Sequence, residues 1–389
     1  MKKVIFISAL AIAAAVSCTK SDIVDTKFNE EISFQNYIGR DAMTKAAVAD
    51  KGTLETVGTE IGLYGYYTGA GKWAAGATAN LWANGVLKYG TPQGESANRW
   101  FTPEKKYWTN DSDWYSFLAY APKATEANGI TVGTENDKTQ TITYKTAVTD
   151  GKLATNVDLL YAQVFDAQKG NGTVDLMFQH ALSRVTVKAS ANGDAFGFDV
   201  KEVTLNGVFN TENTLTLATA AVAEGDGTDS GWSTTPTTTS ATYEFYKDHD
   251  DCTYEEEEVE GKKVKVWDVL NATPVDYAER TVTNGETTET VADNYLMMIP
   301  TNFDGTLKVT YTSIYADKES NEMVKEIPVK INFRMGKAYS LNIVFEPVLD
   351  EIKFSVDVDT WKEQDANGLG NPEDDAKNDW EDVTPKTGA

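Results

Sequence analysis

The sequence predicts an all-β protein built from two tandem antiparallel β-sandwich domains. Three observations support this fold class: apolar residues recur with period two, the segments that show this period are short, and windows with the helical period of 3.6 are few. Threonine-rich spacers separate the segments, which is typical of antiparallel sheets. With 389 residues, 41% of them hydrophobic, the chain is long enough to form two packed cores.

The period-two pattern defines strands in both halves of the chain. The predicted strands are Ile61–Tyr67, Tyr115–Tyr120, Thr139–Lys145, Val174–Phe178, Arg184–Lys188, Val200–Leu205, Tyr295–Ile299, Leu307–Tyr311, Val329–Phe333 and Ser340–Phe345. Val259–Trp267 predicts a hairpin that turns at Gly261, and Asn206-Gly207 is a dipeptide typical of a tight turn. The last strand alternates most regularly, with one apolar face formed by Ile352, Phe354, Val356 and Val358.

These elements divide the chain into five segments. We predict a signal peptide at residues 1–17, a tether at 18–27, an N-terminal sandwich at 28–190, a C-terminal sandwich at 191–361 and an acidic flexible tail at 362–389. The Thr-, Ser- and Gly-rich stretch Ala223–Thr239 predicts a long surface loop. The tail has too few apolar residues to form a core, so we expect it to be flexible.

The N-terminus predicts export and lipidation. Lys2 and Lys3 precede an apolar stretch, Val4–Val16, that has the length of a signal peptide and is too short to span a membrane. Small residues before Cys18 resemble a lipobox, in which the thiol is diacylated (palmitate is the expected acyl group) and becomes the mature N-terminus. The alternative is an ordinary secretory peptide. Thr19 is not the Asp that retains lipoproteins at the inner membrane, so we expect a surface-exposed lipoprotein of the cell outer membrane.

Charge and cysteine content argue against a nucleic-acid partner and against an intramolecular disulfide. The formal net charge of −24 repels phosphate backbones, so nucleic acid is not expected as a partner. Lipidation of Cys18 leaves Cys252 as the second of two cysteines, so no intramolecular disulfide is expected.

Candidate chemical sites are weak. The chain has two histidines. The run Asp248–Cys252 is interpreted as a solvated loop, and Asp365–Gly370 lacks the oxygen ligands of a calcium loop. His180 is interpreted as a structural histidine at a strand end, because no nucleophile motif accompanies it. We therefore predict no catalytic residue, no metal site and no cofactor. An enzyme would need two convergent carboxylates, and carboxylates are too numerous here to single out a pair.

Several phrases carry a family resemblance. They are Tyr107-Trp108, Phe117-Leu118-Ala119-Tyr120-Ala121-Pro122, Asn156–Ala162, Phe178–Val187, Tyr295–Pro300, Gly336-Lys337-Ala338-Tyr339 and the closing strand that ends in Trp361. Their order, together with the lipoprotein signal, resembles the fimbrillin family of Bacteroidetes, the type V pilins with their tip and anchor relatives. The resemblance covers roughly Ile32 to Trp361 and implies two transthyretin-like sandwiches.

The resemblance also implies assembly by donor-strand exchange. A surface protease cuts after a basic residue near the start of the first domain, which frees the lipid anchor and the first strand. The empty groove then accepts an extended strand from the next subunit. Implied partners are other fimbrial subunits, the outer membrane through the lipid anchor, and a host or bacterial surface receptor or glycan.

The removable strand maps onto Phe28–Gly39, with Ile32, Phe34 and Ile38 facing inward. Arg40 follows it directly and has no arginine before it, so it is the predicted processing site, with Lys45 as the second choice. The alternative is that Arg40 is an ordinary solvated side chain.

The donor strand maps onto Ile352–Trp361, whose apolar side chains Ile352, Phe354, Val356 and Val358 would fill pockets in the next subunit. The alternatives are that this segment is the last strand of its own domain, or that the donor includes Trp380 and Val383. The acidic tail departs from a pilin that ends at its donor strand, so stalk, tip and anchor roles all stay open.

The runner-up function is a surface glycan-binding lipoprotein that does not polymerise. Trp73, Trp82, Trp100, Trp108 and Trp114 cluster in the first domain, and aromatic faces bind sugar rings well. The alternative is that these rings fill the core. An exposed coplanar pair would favour glycan binding, and burial would favour the pilin interpretation.

Overall fold

A computed structural model shows an all-β protein, as the sequence predicts. The structure describes residues 30–38, 54–74, 78–133, 140–154, 157–192, 197–218, 221–222, 229–247, 254–259, 262–267, 269–270, 272, 274–277, 281–284, 287–290, 295–315, 318–346 and 351–360. The strands of the first half are β1 Phe34–Ile38, β2 Glu60–Gly69, β3 Trp82–Gly90, β4 Arg99–Phe101, β5 Trp114–Ala121, β6 Ile130–Val132, β7 Thr141–Lys145, β8 Val148–Thr149, β9 Lys152–Leu153, β10 Leu160–Ala167, β11 Val174–His180 and β12 Ser183–Ala191.

The second half is also built from strands. They are β13 Gly197–Thr216, β14 Ala221–Val222, β15 Asp229–Ser230, β16 Thr237–Lys247, β17 Tyr254–Val259, β18 Lys262–Trp267, β19 Val275–Asp276, β20 Thr281–Asn284, β21 Thr287–Thr290, β22 Leu296–Met298, β23 Thr301–Tyr315, β24 Lys318–Glu319, β25 Met323–Phe333, β26 Lys337–Glu346 and β27 Glu351–Thr360. Two 3-10 turns, Glu126–Asn128 and Lys169–Asn171, lie between strands of the first half.

The first half is organised by a seven-stranded sheet in the order β1-β11-β10-β5-β2-β3-β4. Its two ends meet. The Ile32 amide donates to the Lys106 carbonyl at 2.9 Å, and the Trp108 amide donates to the Glu30 carbonyl at 3.0 Å. The sheet therefore curls back on itself, and the segment that includes β1 joins its edges.

The curled sheet encloses an apolar interior, the first core, to which each of its seven strands contributes. Its larger members are Ile32, Phe34, Trp82, Leu87, Trp100, Trp108, Tyr115, Phe117, Leu160, Leu176 and Phe178. Along β5, Phe117 and Ala119 face this core, whereas Leu118 and Tyr120 face the opposite side of the sheet. Burial on both faces explains why this strand reads as a continuous apolar run.

The second half is a sandwich of two sheets. One sheet has the order β19-β12-β26-β27, with β22 beside β12, and the other contains β13, β16, β23 and β25. Their inner faces form the second core, which includes Val187, Leu205, Val309, Leu341 and Phe345. By hydrogen bonding, β12 belongs with these strands, although all but its last residue lie before the predicted boundary between residues 190 and 191.

A third apolar cluster, the joint core, lies between the halves. It combines Tyr66, Leu118 and Tyr161 of the curled sheet with Leu182 and Met297, and further members are Tyr144, Leu215, Trp232, Ile299 and Met335. The strand β13 also links the halves, because its first part pairs with β23 and its last part pairs with β7. The halves therefore share both a core and a strand.

Two local predictions are wrong. Asn206-Gly207 is not a turn but lies within the 20-residue strand β13. A Cβ atom on Gly207 would lie 2.6 Å from the Phe303 ring, so this glycine serves close packing between strands rather than a turn. The predicted loop Ala223–Thr239 is strand from Thr237 onward, and its Trp232 is buried in the joint core. The predicted hairpin around Gly261 is confirmed by the pairing of β17 with β18.

The joint core predicts that Leu182→Ala destabilises both halves together. Leu182 is fully buried, so truncation should lower the free energy of unfolding by about 2–5 kcal/mol. Chemical denaturation followed by tryptophan fluorescence and by circular dichroism measures the effect. The control is Val57→Ala, whose side chain is 66% exposed and should change the stability by less than about 0.5 kcal/mol. Equal effects of the two substitutions would contradict a stabilising joint core.

Candidate functional site

The candidate site is the groove that the first strand and its leading residues occupy, which we name the β1 seat. The strand β11 borders it on one side, and residues 106–108 border it on the other. The five residues of β1 pair in parallel with β11, from Phe34 opposite Val174 to Ile38 opposite Phe178. On the other side of the chain, Glu31 forms an antiparallel bridge with Tyr107. The segment is thus hydrogen-bonded on both sides, but only through a short stretch on each.

The inward face of this segment fills the first core. Ile32 is 1% exposed and Phe34 is 5% exposed. The Phe34 ring makes edge contacts with Phe117 at 5.4 Å and Trp82 at 5.8 Å between ring centroids. Burying two side chains of this size stabilises the closed state by about 3–6 kcal/mol. Loss of the segment would leave an apolar groove in the same place.

A polar residue follows on the same face. Asn36 is 3% exposed, and neither its amide nitrogen nor its amide oxygen has a hydrogen-bond partner among the described residues. A buried polar group without a partner costs about 1–3 kcal/mol. The seat of β1 is therefore less favourable at Asn36 than at Ile32 or Phe34. The side chain of Ile38 lies outside what the structure describes.

Charged groups hold the start of the segment, in an arrangement we name the charged clasp. Glu31 lies 2.7 Å from Lys105 and 3.8 Å from Arg99, and Glu30 lies 3.7 Å from the Nζ atom of the buried Lys169. The hydrogen bond to Glu31 raises the pKa of Lys105. Because the folded-state pKa is raised, this stabilisation is fully present at neutral pH and is lost only as the pH rises through that raised pKa.

Polar contacts on the outer face of the segment fix the register. Ser33 Oγ donates to Thr173 Oγ1 at 3.2 Å, and Gln35 Nε2 donates to the carboxylate of Asp175. Both pairs join residues 33–35 to residues 173–175 in the same register as the backbone pairing of β1 with β11. Sequence reasoning did not find these partners, since each lies 140 residues away along the chain.

The predicted donor strand forms β27, the edge strand of its sheet, and it pairs antiparallel with β26 over its whole length. Ile352 is buried, Phe354 and Val356 are half-buried, and Val358 is 54% exposed. In its own sheet, beside β26, the strand therefore buries its apolar face only in part. Its role as a donor stays a prediction.

Two polar contacts hold β27. Lys353 Nζ lies 2.9 Å from Glu346 Oε1, and Asn342 donates to Asp357 at 2.8 Å. The hydrogen bonds from Lys353 and Asn192 lower the pKa of Glu346. Because the folded-state pKa of Glu346 is lowered, this contact stabilises the sheet edge fully at pH values above the ordinary pKa of a glutamate. The stabilisation is lost as the pH falls through the lowered pKa.

Several predicted site residues lie outside the described residues. These are Cys18, Arg40, Lys45, Cys252, Trp361, Trp380, Val383 and the cluster Asp248–Cys252. Lipidation at Cys18 and processing at Arg40 thus stay predictions.

One buried pair could have been mistaken for chemistry. His180 Nδ1 lies 2.8 Å from Asp158 Oδ2, and both side chains are buried. His180 was a candidate from the sequence, whereas Asp158, which precedes it by 22 residues, was not. A carboxylate that orients a histidine is one part of a catalytic triad, but this pair has no access to solvent. The geometry supports a structural role.

The tryptophans of the first half do not form an exposed stacked platform. Trp82, Trp100 and Trp108 are buried in the first core. Trp73 is half-buried, and its ring is tilted by 36° against the ring of Phe165. Burial of most of these rings favours the pilin interpretation over the glycan-binding one.

The described residues contain no group of three or more His, Cys, Asp or Glu side chains that could hold a metal ion. Within the same residues, no helix combines the length and the apolar character needed to cross a membrane.

The fold and this seat define a two-part all-β protein whose first sheet is closed by a short N-terminal segment. A model of the fimbrillin-like family matches residues 44–361. The chain therefore belongs to the fimbrillin-like family, which confirms the resemblance drawn from the sequence. Membership supports a fimbrial or adhesive role at the cell surface. The strand β1 precedes the matched residues.

Several solved structures align with most of this chain. A fimbrial protein from Bacteroides vulgatus aligns with a TM-score of 0.56 and 16% identity, over 86% of this chain and 100% of that chain. A candidate cell adhesion protein from Bacteroides ovatus aligns with a TM-score of 0.44 and 16% identity, over 87% and 99% of the two chains. A candidate cell adhesion protein from Bacteroides uniformis aligns with a TM-score of 0.41 and 15% identity, over 85% of this chain and 99% of that chain. Among curated protein sequences, none matches this chain.

The charged clasp predicts that Glu31→Gln loosens β1 without unfolding the rest. Both ion pairs of Glu31 are partly solvated, so the loss should be at most about 1 kcal/mol and smaller in high salt. Hydrogen exchange of the β1 amides should become faster by up to about fivefold. Glu60→Gln, which removes a similar ion pair to Lys88 on other strands, is the control. Unchanged exchange in β1 would show that the clasp does not hold the strand.

Proposed function

We propose that this chain is a fimbrial subunit that is exported as an outer-membrane lipoprotein, assembles by donor-strand exchange and supports adhesion. The observation that carries the proposal is the closure of the seven-stranded sheet by a short segment at its N-terminal edge. An assembly of this kind needs a strand that can leave without removing the rest of the domain.

The segment that closes the sheet meets this need. It is the first strand among the described residues, so a single cut after it releases it from the domain. Its departure would expose the groove lined by Trp82, Phe117 and Leu176 of the first core. Exposed apolar groups together with unpaired strand edges favour the binding of another extended strand.

The position of Arg40 fits this step. It lies two residues after Ile38, the end of β1, so cleavage there separates the strand from the rest of the chain. Cleavage at Arg40 would also detach the lipid on Cys18, because both lie on the same side of the cut. A single processing event would thus free the subunit from the membrane and open its groove.

The strand β27 fits the complementary role. It is an edge strand near the C-terminus, and its apolar side chains are only partly buried in its own sheet. An edge strand can leave by breaking hydrogen bonds on one side only, which lowers the cost of its transfer to another subunit.

The proposal predicts that Arg40→Ala blocks assembly. The substituted chain should stay in the membrane fraction with its N-terminus at a diacylated Cys18, whereas wild-type filaments should contain a chain that starts at Asp41. Terminal sequencing and intact mass of surface filaments measure this. Lys45→Ala is the matched control and should assemble normally. Filaments of the Arg40→Ala chain that start at Cys18 would contradict release by cleavage.

Lipidation gives an independent prediction. Cys18→Ala should abolish incorporation of labelled palmitate and reduce the membrane-bound amount of the chain at least tenfold, because a diacyl anchor is lost. Cys252→Ser is the control and should incorporate label normally. Label that persists in the Cys18→Ala chain would exclude Cys18 as the acylated residue.

A further inference from the structure

The segment that contains β1 and the segment that contains β27 carry similar side-chain patterns. Residues 30–38 read Glu-Glu-Ile-Ser-Phe-Gln-Asn-Tyr-Ile, and residues 350–358 read Asp-Glu-Ile-Lys-Phe-Ser-Val-Asp-Val. Two acidic residues are followed by Ile, Phe and a β-branched aliphatic residue at matching positions. The two segments lie at opposite ends of the described chain and in different sheets. A strand with this pattern has the side chains that the β1 seat requires.

Three contacts of the seat have counterparts in β27. In this alignment Glu351 takes the place of Glu31 between Arg99 and Lys105. Ile352 and Phe354 take the places of Ile32 and Phe34 in the first core. On the outer face, Ser355 takes the place of Gln35 opposite Asp175, with both groups exposed.

The alignment differs at the one unfavourable position of the seat. Asn36, buried without a hydrogen-bond partner among the described residues, corresponds to Val356. A valine at this position buries apolar surface and leaves no polar group without a partner. The seat therefore fits the C-terminal strand better than it fits the strand that occupies it.

We propose that β27 of a second copy of this chain replaces β1 in parallel orientation beside β11, with Val356 at the Asn36 position, and that this residue difference favours the exchange. The proposal rests on the proposed function and adds the register, the orientation and the residue that favours the incoming strand. Asn36 keeps the resident strand replaceable, and Val356 makes its successor bind more tightly.

Burial supports the same direction. In its own sheet β27 leaves Phe354 and Val356 half-buried and Val358 more than half exposed. The seat beside β11 buries the corresponding positions Phe34 and Asn36 almost completely. Transfer of β27 to the seat therefore removes more of its apolar face from water than its own sheet does.

Cysteine cross-linking tests the register. In a Cys252→Ser background, Asp175→Cys is combined with Ser355→Cys, and filaments are oxidised mildly and separated without reductant. We expect disulfide-linked ladders of subunits. The matched controls combine Asp175→Cys with Lys353→Cys or with Asp357→Cys, which shift the register by two residues and should cross-link at least tenfold less.

The outcomes separate the register from the proposed function. If filaments form but cross-link only in a shifted register, or not at all, the proposed pairing of Ser355 with Asp175 is wrong, whereas assembly by strand exchange is not contradicted. A chain truncated after Trp361 that no longer assembles would assign the donor to the tail and also overturn it. Monomeric protein after complete cleavage at Arg40 would overturn the proposed function itself.

Exchange kinetics test the role of Asn36. Purified chain is cleaved with an arginine-specific protease and mixed with a labelled peptide of residues 350–361. We expect the wild-type peptide to displace residues up to Arg40, and the Val356→Asn peptide to bind about tenfold or more weakly. Asn36→Val in the chain should slow displacement by a similar factor and raise the Tm of the uncleaved protein.

The control is Met177→Val, at a 65% exposed position on the neighbouring strand β11, which should leave the Tm unchanged and the displacement rate within about twofold. Equal binding of the two peptides would show that Val356 does not occupy the Asn36 position. An unchanged Tm and rate for Asn36→Val would show that the buried amide does not weaken the resident strand. The Tm readout does not depend on assembly, so it tests the seat even if no filament forms.

Discussion

The rest of the first half depends on the closure of its sheet by a short N-terminal segment. Ile32 and Phe34 complete a core to which seven strands contribute, and hydrogen bonds on both sides of the segment join the sheet edges. The closing element belongs to the domain energetically, through buried apolar surface. It is peripheral in connectivity, because it is the first strand of the part of the chain that the structure describes. Under the proposed function, a domain built in this way is stable while intact and would bind an extended strand once its first segment is cut away.

The same segment balances tight and weak contacts. The clasp at Glu31 and the aromatic contacts of Phe34 hold it, whereas the buried amide of Asn36 opposes its binding. An entirely apolar segment would be harder to displace, and an entirely polar one would not close the core. The junction between the halves is held mainly by apolar packing, in which Leu182 and its neighbours form the joint core.

Patterns local in sequence predicted the fold well, and contacts between distant residues escaped prediction. The alternation of Ile352 to Val358 and the apolar run at Phe117 define real strands, since side-chain period follows directly from strand geometry. Asn206-Gly207 was misassigned because the reason for its glycine is the Phe303 ring on another strand. Lys169 and Asp158 could not be found from sequence, because their importance comes from burial beside partners far along the chain.

The length of β13 has a mechanical consequence. The strand has 20 residues, about 66 Å at the usual rise of 3.3 Å per residue, and it pairs with strands of both halves. A pull that separates the two halves must break hydrogen bonds of β13 as well as contacts of the joint core. A surface filament in flowing liquid experiences this kind of pull. The continuous strand would let the two halves bear load as one unit instead of separating at their junction.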